Sequence, residues 1–396
     1  MGKTCTDHSV PRKAAYVATV YAHLAAFHLP FMEDLRQDGW KVHAYAGPDH
    51  RRQKVESAGF ACRDIPFSRS PLAWGNVRAL FQMIRRLRKE NYELIHVHTP
   101  NASLITRLAA WLAGARGVVY TAHGFHFHQG GSRLGWLLYY PLERMMSRLT
   151  DLLITINSED FKRAENFPVR GRLVYIPGVG VDLEGLNRPG REVGRLKREL
   201  GINGDTLTVL CVAELNRNKN QAQLIHAVHS LVRRETPVTL LLAGVGSSEE
   251  ICRDLSRELG LAEQVKFLGF RQDIPELMAA ADVIALTSRR EGLPKVLLEG
   301  LAAGKPLLVT DVRGSRDLVV QADNGYVVPL DDAEAAASAL LQLYEDPSLR
   351  ERMGRRSRQM SLRYDLKRIR SLMRELYNEV LHGGYGRREE RRFTND

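Results

Sequence analysis

Short apolar runs rich in β-branched residues alternate along this chain with longer stretches of helical periodicity, the pattern of βαβ units built on parallel sheets. In the first half, Ala14–Val20, Lys41–Ala46, Leu94–His98, Val118–Ala122, Leu152–Ile156 and Leu173–Ile176 predict strands that suit one doubly wound sheet. In the second half, Thr208–Ala213, Val238–Ala243, Val265–Leu268, Val283–Leu286, Pro306–Thr310 and Gly325–Val328 predict another of similar size. Between them, Pro177-Gly178-Val179-Gly180-Val181-Asp182 and the polar stretch to Gly194 stop both periodicities, since glycine and proline end helices and strands alike. Asp331–Leu343 is an Ala- and Leu-rich helical stretch, and Ser348–Leu381 continues as helices with basic faces. Gly383–Asp396 carries glycine and charge without apolar content and reads as a disordered tail. The expected class is therefore α/β, with Rossmann-like domains over 1–185 and 195–360, a C-terminal helix near 363–382 returning to the first domain, and a tail over 383–396.

Length supports that division, because 396 residues exceed what a single hydrophobic core usually serves. With 44% hydrophobic and 26% charged residues the composition is that of a globular protein, which excludes a disordered chain and a membrane-embedded body. No run approaches the roughly 20 apolar residues a spanning helix needs. Met1–Lys13 has no apolar signal core, so the cytoplasm is the expected compartment. Cys5, Cys62, Cys211 and Cys252 lack the paired spacing of a zinc or redox motif. Met1–Thr6 fits the short N-myristoylation pattern, too brief to carry weight alone.

The net charge of +11 favours an anionic partner: nucleic acid, an anionic lipid surface or a phosphate-bearing substrate. Nucleic acid is the least supported of these, since neither zinc-finger spacing nor an aromatic-and-basic RNA-binding strand occurs. In Asn76–Glu90, Leu80, Ile84 and Leu87 recur at helical spacing beside Arg78, Arg85, Arg86, Arg88 and Lys89, as in a helix lying on an anionic membrane. The same stripe would equally suit packing on a sheet. Trp136–Tyr140, between Arg133 and Arg144, is a second candidate contact.

The most informative segment is Glu291-Gly292-Leu293-Pro294-Lys295-Val296-Leu297-Leu298-Glu299, directly after an expected strand. Pro294 suits a first helical position, so a helix is expected to begin there, its free amides and dipole forming an anion site fit for a diphosphate. Glu299 lies in an apolar run, where a charge needs a partner. His123 ends an expected strand, at the edge where open α/β sheets bind ligands. His96, His98, His126 and His128 invite a zinc reading, but no carboxylate or cysteine completes an ordered ligand set, and no metal is expected. Gly300–Pro306 lacks P-loop spacing, and Gly244-Val245-Gly246 is half a dinucleotide fingerprint, better suited to a tight turn.

Two glutamates separated by seven residues after a late strand resemble the signature of retaining glycosyltransferases of family 4, which have the GT-B architecture of two Rossmann-like domains facing across a cleft. Tyr120–Phe127, Trp136–Glu143, Val17–Val20, Ala26–Pro30 and Ile176–Asp182 resemble the subgroup that assembles bacterial exopolysaccharide and capsule on lipid carriers. The resemblance covers nearly the whole chain. It implies His123 and Glu291 as catalytic residues, with donor binding by Lys219, Arg217, Gly292, Leu293, Pro294, Glu299 and Gly178, and an acceptor side of His23, His28 and His98. One departure stands out: the family's usual arginine position is occupied by Glu214, leaving Lys219 with Arg217 as an unaligned substitute.

The activity so implied is transfer of a sugar, an N-acetylhexosamine being the leading guess, from a UDP-sugar, with retention and without a metal or other cofactor. The acceptor would be an undecaprenyl-diphosphate-linked sugar or a polysaccharide, reached from the inner face of the cell membrane by a peripheral protein. A nucleotide-sugar epimerase of the same fold, a dehydrogenase and a non-catalytic UDP-sugar-binding scaffold are the alternatives. The dehydrogenase would need a complete glycine fingerprint.

Overall fold

The computed structural model describes residues 11–68, 70, 73–186, 193–202 and 204–383. The Met1–Thr6 pattern with Cys5, part of the expected linker and all but the first residue of the expected tail lie outside them. The chain forms two compact units, one comprising residues up to Ile176 with those from Arg370 onward, the other Pro177–Ile369. Pro177–Asp182, assigned above to the first domain, thus falls in the second unit. There Val181 bridges Asp365, and Gly180 has so little space that a β-carbon would lie 2.8 Å from the Leu366 backbone.

The first unit holds seven parallel strands, β1 (Lys13–Val20), β2 (Lys41–Gly47), β3 (Ala61–Asp64), β4 (Leu94–Val97), β5 (Val118–Ala122), β6 (Leu152–Thr155) and β7 (Arg172–Tyr175). Their order across the sheet is β3-β2-β1-β4-β5-β6-β7. β4, β5 and β6 are buried on both faces, so they read as unbroken apolar runs. The seventh strand, β3, escaped sequence reading because it is a four-residue edge strand, Ala-Cys-Arg-Asp, with no buried residue and hence no apolar run. The helix Leu366–Leu381 contributes Tyr377, whose hydroxyl lies 2.5 Å from that of Tyr16, and Arg370, which pairs with the buried Asp34.

The second unit holds six parallel strands, β8 (Leu207–Val212), β9 (Val238–Ala243), β10 (Val265–Gly269), β11 (Val283–Leu286), β12 (Leu307–Thr310) and β13 (Gly325–Val328), ordered β10-β9-β8-β11-β12-β13. In each sheet the strand order reverses beside the first strand: β1 pairs with both β2 and β4, and β8 with both β9 and β11. At such a switch point neighbouring crossovers depart to opposite sides, opening a crevice at the carboxyl ends of the strands.

Candidate functional site

In the second unit two loops meet at the switch point, one following β8 and one following β11. The first, Asn216–Asn220, is set by its asparagines. Asn216 Oδ1 accepts the Lys219 amide at 3.0 Å, and Asn220 takes a left-handed conformation, φ 52°, before the helix Gln221–Arg233. The Arg289 amide donates to the Asn218 carbonyl at 2.7 Å, and Asn218 Nδ2 donates to the Arg290 carbonyl at 3.0 Å. This lacing delivers Lys219 Nζ to Glu291 Oε1 at 2.6 Å, both side chains mostly buried.

The helix after Glu291 runs Lys295–Ala302, and Pro294 is its cap rather than its first residue. Its ψ of 120° is extended, while its carbonyl already accepts from Leu297 at 3.1 Å. Glu299 finds its partner in Lys295, one turn earlier, at 3.3 Å, and burial raises its pKa above the ordinary carboxylate value. Gly178, at φ +80°, lies against Leu293 and Leu298, and a β-carbon there would sit 2.7 Å from Leu293 Cδ2. Gly244-Val245-Gly246 forms the turn from β9 to the next helix, and β-carbons at its glycines would strike the Ala213 and Leu215 carbonyls. Arg217 and Glu214 are both exposed, so neither enters the Lys219–Glu291 contact.

Sequence reasoning missed Arg313. It is 5% exposed, and its Nε donates to the Glu291 carbonyl at 3.1 Å. The signal was present in Asp311-Val312-Arg313-Gly314 directly after β12. Gly314, at φ +76°, brings this loop so close that a β-carbon would lie 2.0 Å from the Gly292 carbonyl oxygen. A buried guanidinium, an ammonium, and backbone amides at a helix start supply fixed positive charge to the carboxyl edge of this sheet, which suits a diphosphate.

In the first unit the switch point collects histidines. His23 and His28 follow β1, His98 follows β4, and His123 follows β5. One ring nitrogen from each lies within 4.8 Å of the others. His28 and His98 stack with centroids 3.6 Å apart, and His123 Nε2 approaches His98 Nδ1 at 3.4 Å. Burial lowers the pKa of His23 to about 4 and holds His28, His98 and His123 well below the ordinary histidine value. The rings are therefore neutral at pH 7. His23, His28 and His98 each leave a buried Nε2 without a hydrogen-bond partner, a cost of about 1–3 kcal/mol apiece. Beside them Thr99, a β-branched residue, is held at φ 54°, where its hydroxyl accepts the Thr19 amide at 2.9 Å; such strain is tolerated chiefly at functional sites.

The histidines weighed above for zinc part company. His96 is satisfied at both nitrogens, by Tyr377 at 2.7 Å and Thr121 at 2.8 Å. His126 packs on Tyr139 and His128 meets the Gln129 carbonyl. His23 and His28, far earlier in the chain, take their place.

Two doubly wound parallel sheets of this kind, each with polar chemistry at its switch point, are those of the GT-B architecture. The family description "Glycosyltransferase Family 4" matches residues 31–184 and "Glycosyl transferases group 1" matches residues 193–360. The "Putative glycosyltransferase EpsD" of Bacillus subtilis is 38% identical over 375 residues, covering 93% of this chain and 97% of that protein. The chain belongs to glycosyltransferase family 4 and is a glycosyltransferase. The UDP-Gal:alpha-D-GlcNAc-diphosphoundecaprenol alpha-1,3-galactosyltransferase of Escherichia coli is 29% identical over 294 residues, 73% of this chain and 74% of that one. Among solved structures, Anabaena HepE in complex with UDP-glucose superposes with a TM-score of 0.77 at 22% identity, covering 93% of this chain and 100% of HepE.

Proposed function

We propose that this glycosyltransferase moves a sugar from a UDP-sugar to a lipid-linked acceptor in bacterial surface glycan assembly, with retention at the anomeric carbon and without a metal ion in the transfer. The observation that carries the reading is the Lys219–Glu291 pair at 2.6 Å, set by the loops after β8 and β11. Departure of UDP concentrates negative charge on the diphosphate. Lys219, Arg313 and the amides leading into the Lys295–Ala302 helix are positioned to stabilise it. Glu291 holds Lys219 in place and offers its second carboxylate oxygen to a sugar hydroxyl. Glu299 is suited to the ribose, His123 to the transferred sugar, and His23, His28 and His98 to the acceptor side. In retaining transfer a donor phosphate oxygen takes the acceptor proton, so no glutamate forms a covalent sugar intermediate.

The named activity of the Escherichia coli relative supports a UDP-sugar and an undecaprenyl-diphosphate acceptor. The UDP-glucose bound to HepE supports the same nucleotide.

Among the described residues no helix is long and apolar enough to cross a membrane. Attachment at the inner face of the cell membrane would then fall to the first unit. The helix Gly75–Glu90 buries Ala79, Met83 and Leu87, with Leu80 and Ile84 half-buried, so the stripe expected to face lipid packs inward instead. What it exposes are Trp74, Val77 and Phe81, beside Arg78, Arg85, Arg88 and Lys89. A groove of about 490 Å³ next to them is lined by Leu80, Leu104, Ile105, Leu108, Leu142 and Met145. In Arg133–Met146 the outward residues are Leu134, Leu137 and Leu138 rather than the aromatics, which pack on the core. Apolar side chains ringed by cations match an anionic lipid surface.

Calorimetric titration of UDP tests the donor site. Lys219→Ala and Glu299→Ala should each weaken binding by about 1.5 to 3 kcal/mol, the loss of one charge-assisted hydrogen bond. Unchanged affinity in both variants would remove the assignment. A UDP-sugar converted without any acceptor would instead identify an epimerase.

A further inference from the structure

We propose that His23, His28, His98 and His123 form a binding site for a divalent transition-metal ion of the zinc class, lodged at the switch point of the first sheet. The ligand set is chemically apt. Neutral imidazole nitrogen is a preferred donor for zinc, nickel and copper ions, whereas magnesium and calcium prefer oxygen. The four candidate nitrogens lie within 4.8 Å of one another. A tetrahedral zinc site with bonds of about 2.0–2.1 Å places its nitrogens about 3.4 Å apart, so closing the set requires His28 and His98, now stacked with centroids 3.6 Å apart, to turn out of their stack.

Two independent observations point the same way. First, Nε2 of His23, His28 and His98 is buried and has no hydrogen-bond partner, while the neighbouring His96 has both nitrogens satisfied. Buried polar atoms in native proteins nearly always have partners, and three orphans of one chemical kind at one place call for a shared one. Second, the four rings come from segments that follow three different strands, and His98 Nδ1 lies 3.4 Å from His123 Nε2, about the separation of two nitrogens around a tetrahedral ion.

An ion here would tether the segments following β1, β4 and β5 and would occupy the ring of His123. It is therefore not the agent that neutralises the donor diphosphate, whose proposed partners all belong to the second unit. A ring nitrogen holding an ion cannot also meet a sugar hydroxyl, so zinc should lower turnover and a chelator should restore it. The site itself does not depend on the donor reading.

The experiment uses the full chain, stripped with EDTA, incubated with zinc and gel-filtered, with bound zinc measured by mass spectrometry and UDP affinity followed in parallel. About one tightly held zinc per chain is expected. Cobalt(II) should give the intense visible bands of a four-coordinate ion, and UDP affinity should stay the same with zinc bound. His28→Gln combined with His98→Gln should lose the zinc and the cobalt spectrum. His23→Gln, at a partly exposed position, is the second variant should the first fail to fold, and it should weaken zinc binding at least tenfold. Absence of retained zinc, an octahedral cobalt spectrum, or equal uptake by the folded variants would overturn the site.

Discussion

Mild acid should destabilise the first unit well before it affects the second. His28, His96 and His98 are at most 3% exposed, and burial is the main cause that lowers each pKa, that of His96 to about 3. The folded chain keeps these rings neutral, while the unfolded chain binds protons at the ordinary value of about 6.5. The unfolded state thus binds more protons below that value. Stability is complete above about pH 6.5 and is lost as the pH falls towards the folded values. At about pH 5.5 each ring costs on the order of 1 to 2 kcal/mol, and the three together roughly 4 kcal/mol, against a domain stability of roughly 5–15 kcal/mol. His23, His43 and His123 act in the same direction. Carboxylates scarcely titrate in this window, so the histidines dominate it.

The molecule carries its own probe, since Trp40, Trp74, Trp111 and Trp136 are its only tryptophans and all belong to the first unit. Tryptophan fluorescence should show the melting midpoint falling by about 8 to 16 °C between pH 7 and about pH 5.5, measured in EDTA so that no ion contributes. Hydrogen exchange should show the helix Gln221–Arg233 of the second unit little changed over the same range. His96→Gln should remove about one proton from the uptake on unfolding. A fluorescence midpoint that does not move, or one that moves equally in the second unit, would refute the reasoning.

Glu143→Ala should destabilise the first unit by about 3–5 kcal/mol in urea unfolding, because it strands the fully buried Arg107, now paired at 2.8 Å; replacing both residues by leucine should cost less. Gly314→Ala forces a β-carbon onto the Gly292 carbonyl and should lower UDP affinity at least tenfold in calorimetry while leaving the first unit's melting unchanged. Co-sedimentation with anionic liposomes should be lost at high salt and on changing Arg85, Arg86, Arg88 and Lys89 to Ser, and it should also fall in a Trp74→Ser, Phe81→Ser double variant. Equal recovery with neutral vesicles would count against that surface.

Twelve of the thirteen strands were legible in the sequence, most of them because parallel strands buried on both faces must be continuously apolar. β3 was not, since its Ala-Cys-Arg-Asp has no buried residue and no apolar run, whereas the other edge strands, β7, β10 and β13, keep one. The amphipathic stripe of Gly75–Glu90 was legible as a stripe, but its direction was not. Burial of Ala79, Met83 and Leu87 against the first unit's core decides that Phe81 and Val77 face outward. Periodicity names the residues of a face, and only the neighbouring element says whether that face meets protein or solvent.

The two candidate sites differ in legibility for a reason that lies in the strand order. Glu291 and Glu299 stood out because the loop after β11 and the helix that follows form one continuous segment, so spacing along the chain maps onto spacing in the molecule. Lys219 was placed beside the end of a strand, yet its pairing with Glu291, 72 positions further along the chain, required β8 and β11 to be neighbours. The histidine cluster is a harder case. His96, His98, His123, His126 and His128 are close in sequence and suggested a local set, but His96, although its ring lies 4.1 Å from that of His98, spends both nitrogens on Tyr377 and Thr121, and the chain beyond Gly124 carries His126 to Tyr139. The true neighbours of His98 and His123 come from the far side of β1. They become adjacent because the sheet grows first to β2 and β3 and then returns to set β4 against β1. A switch point gathers side chains from segments that no linear spacing links, and that makes it both a fit place for a composite site and the place where sequence spacing says least.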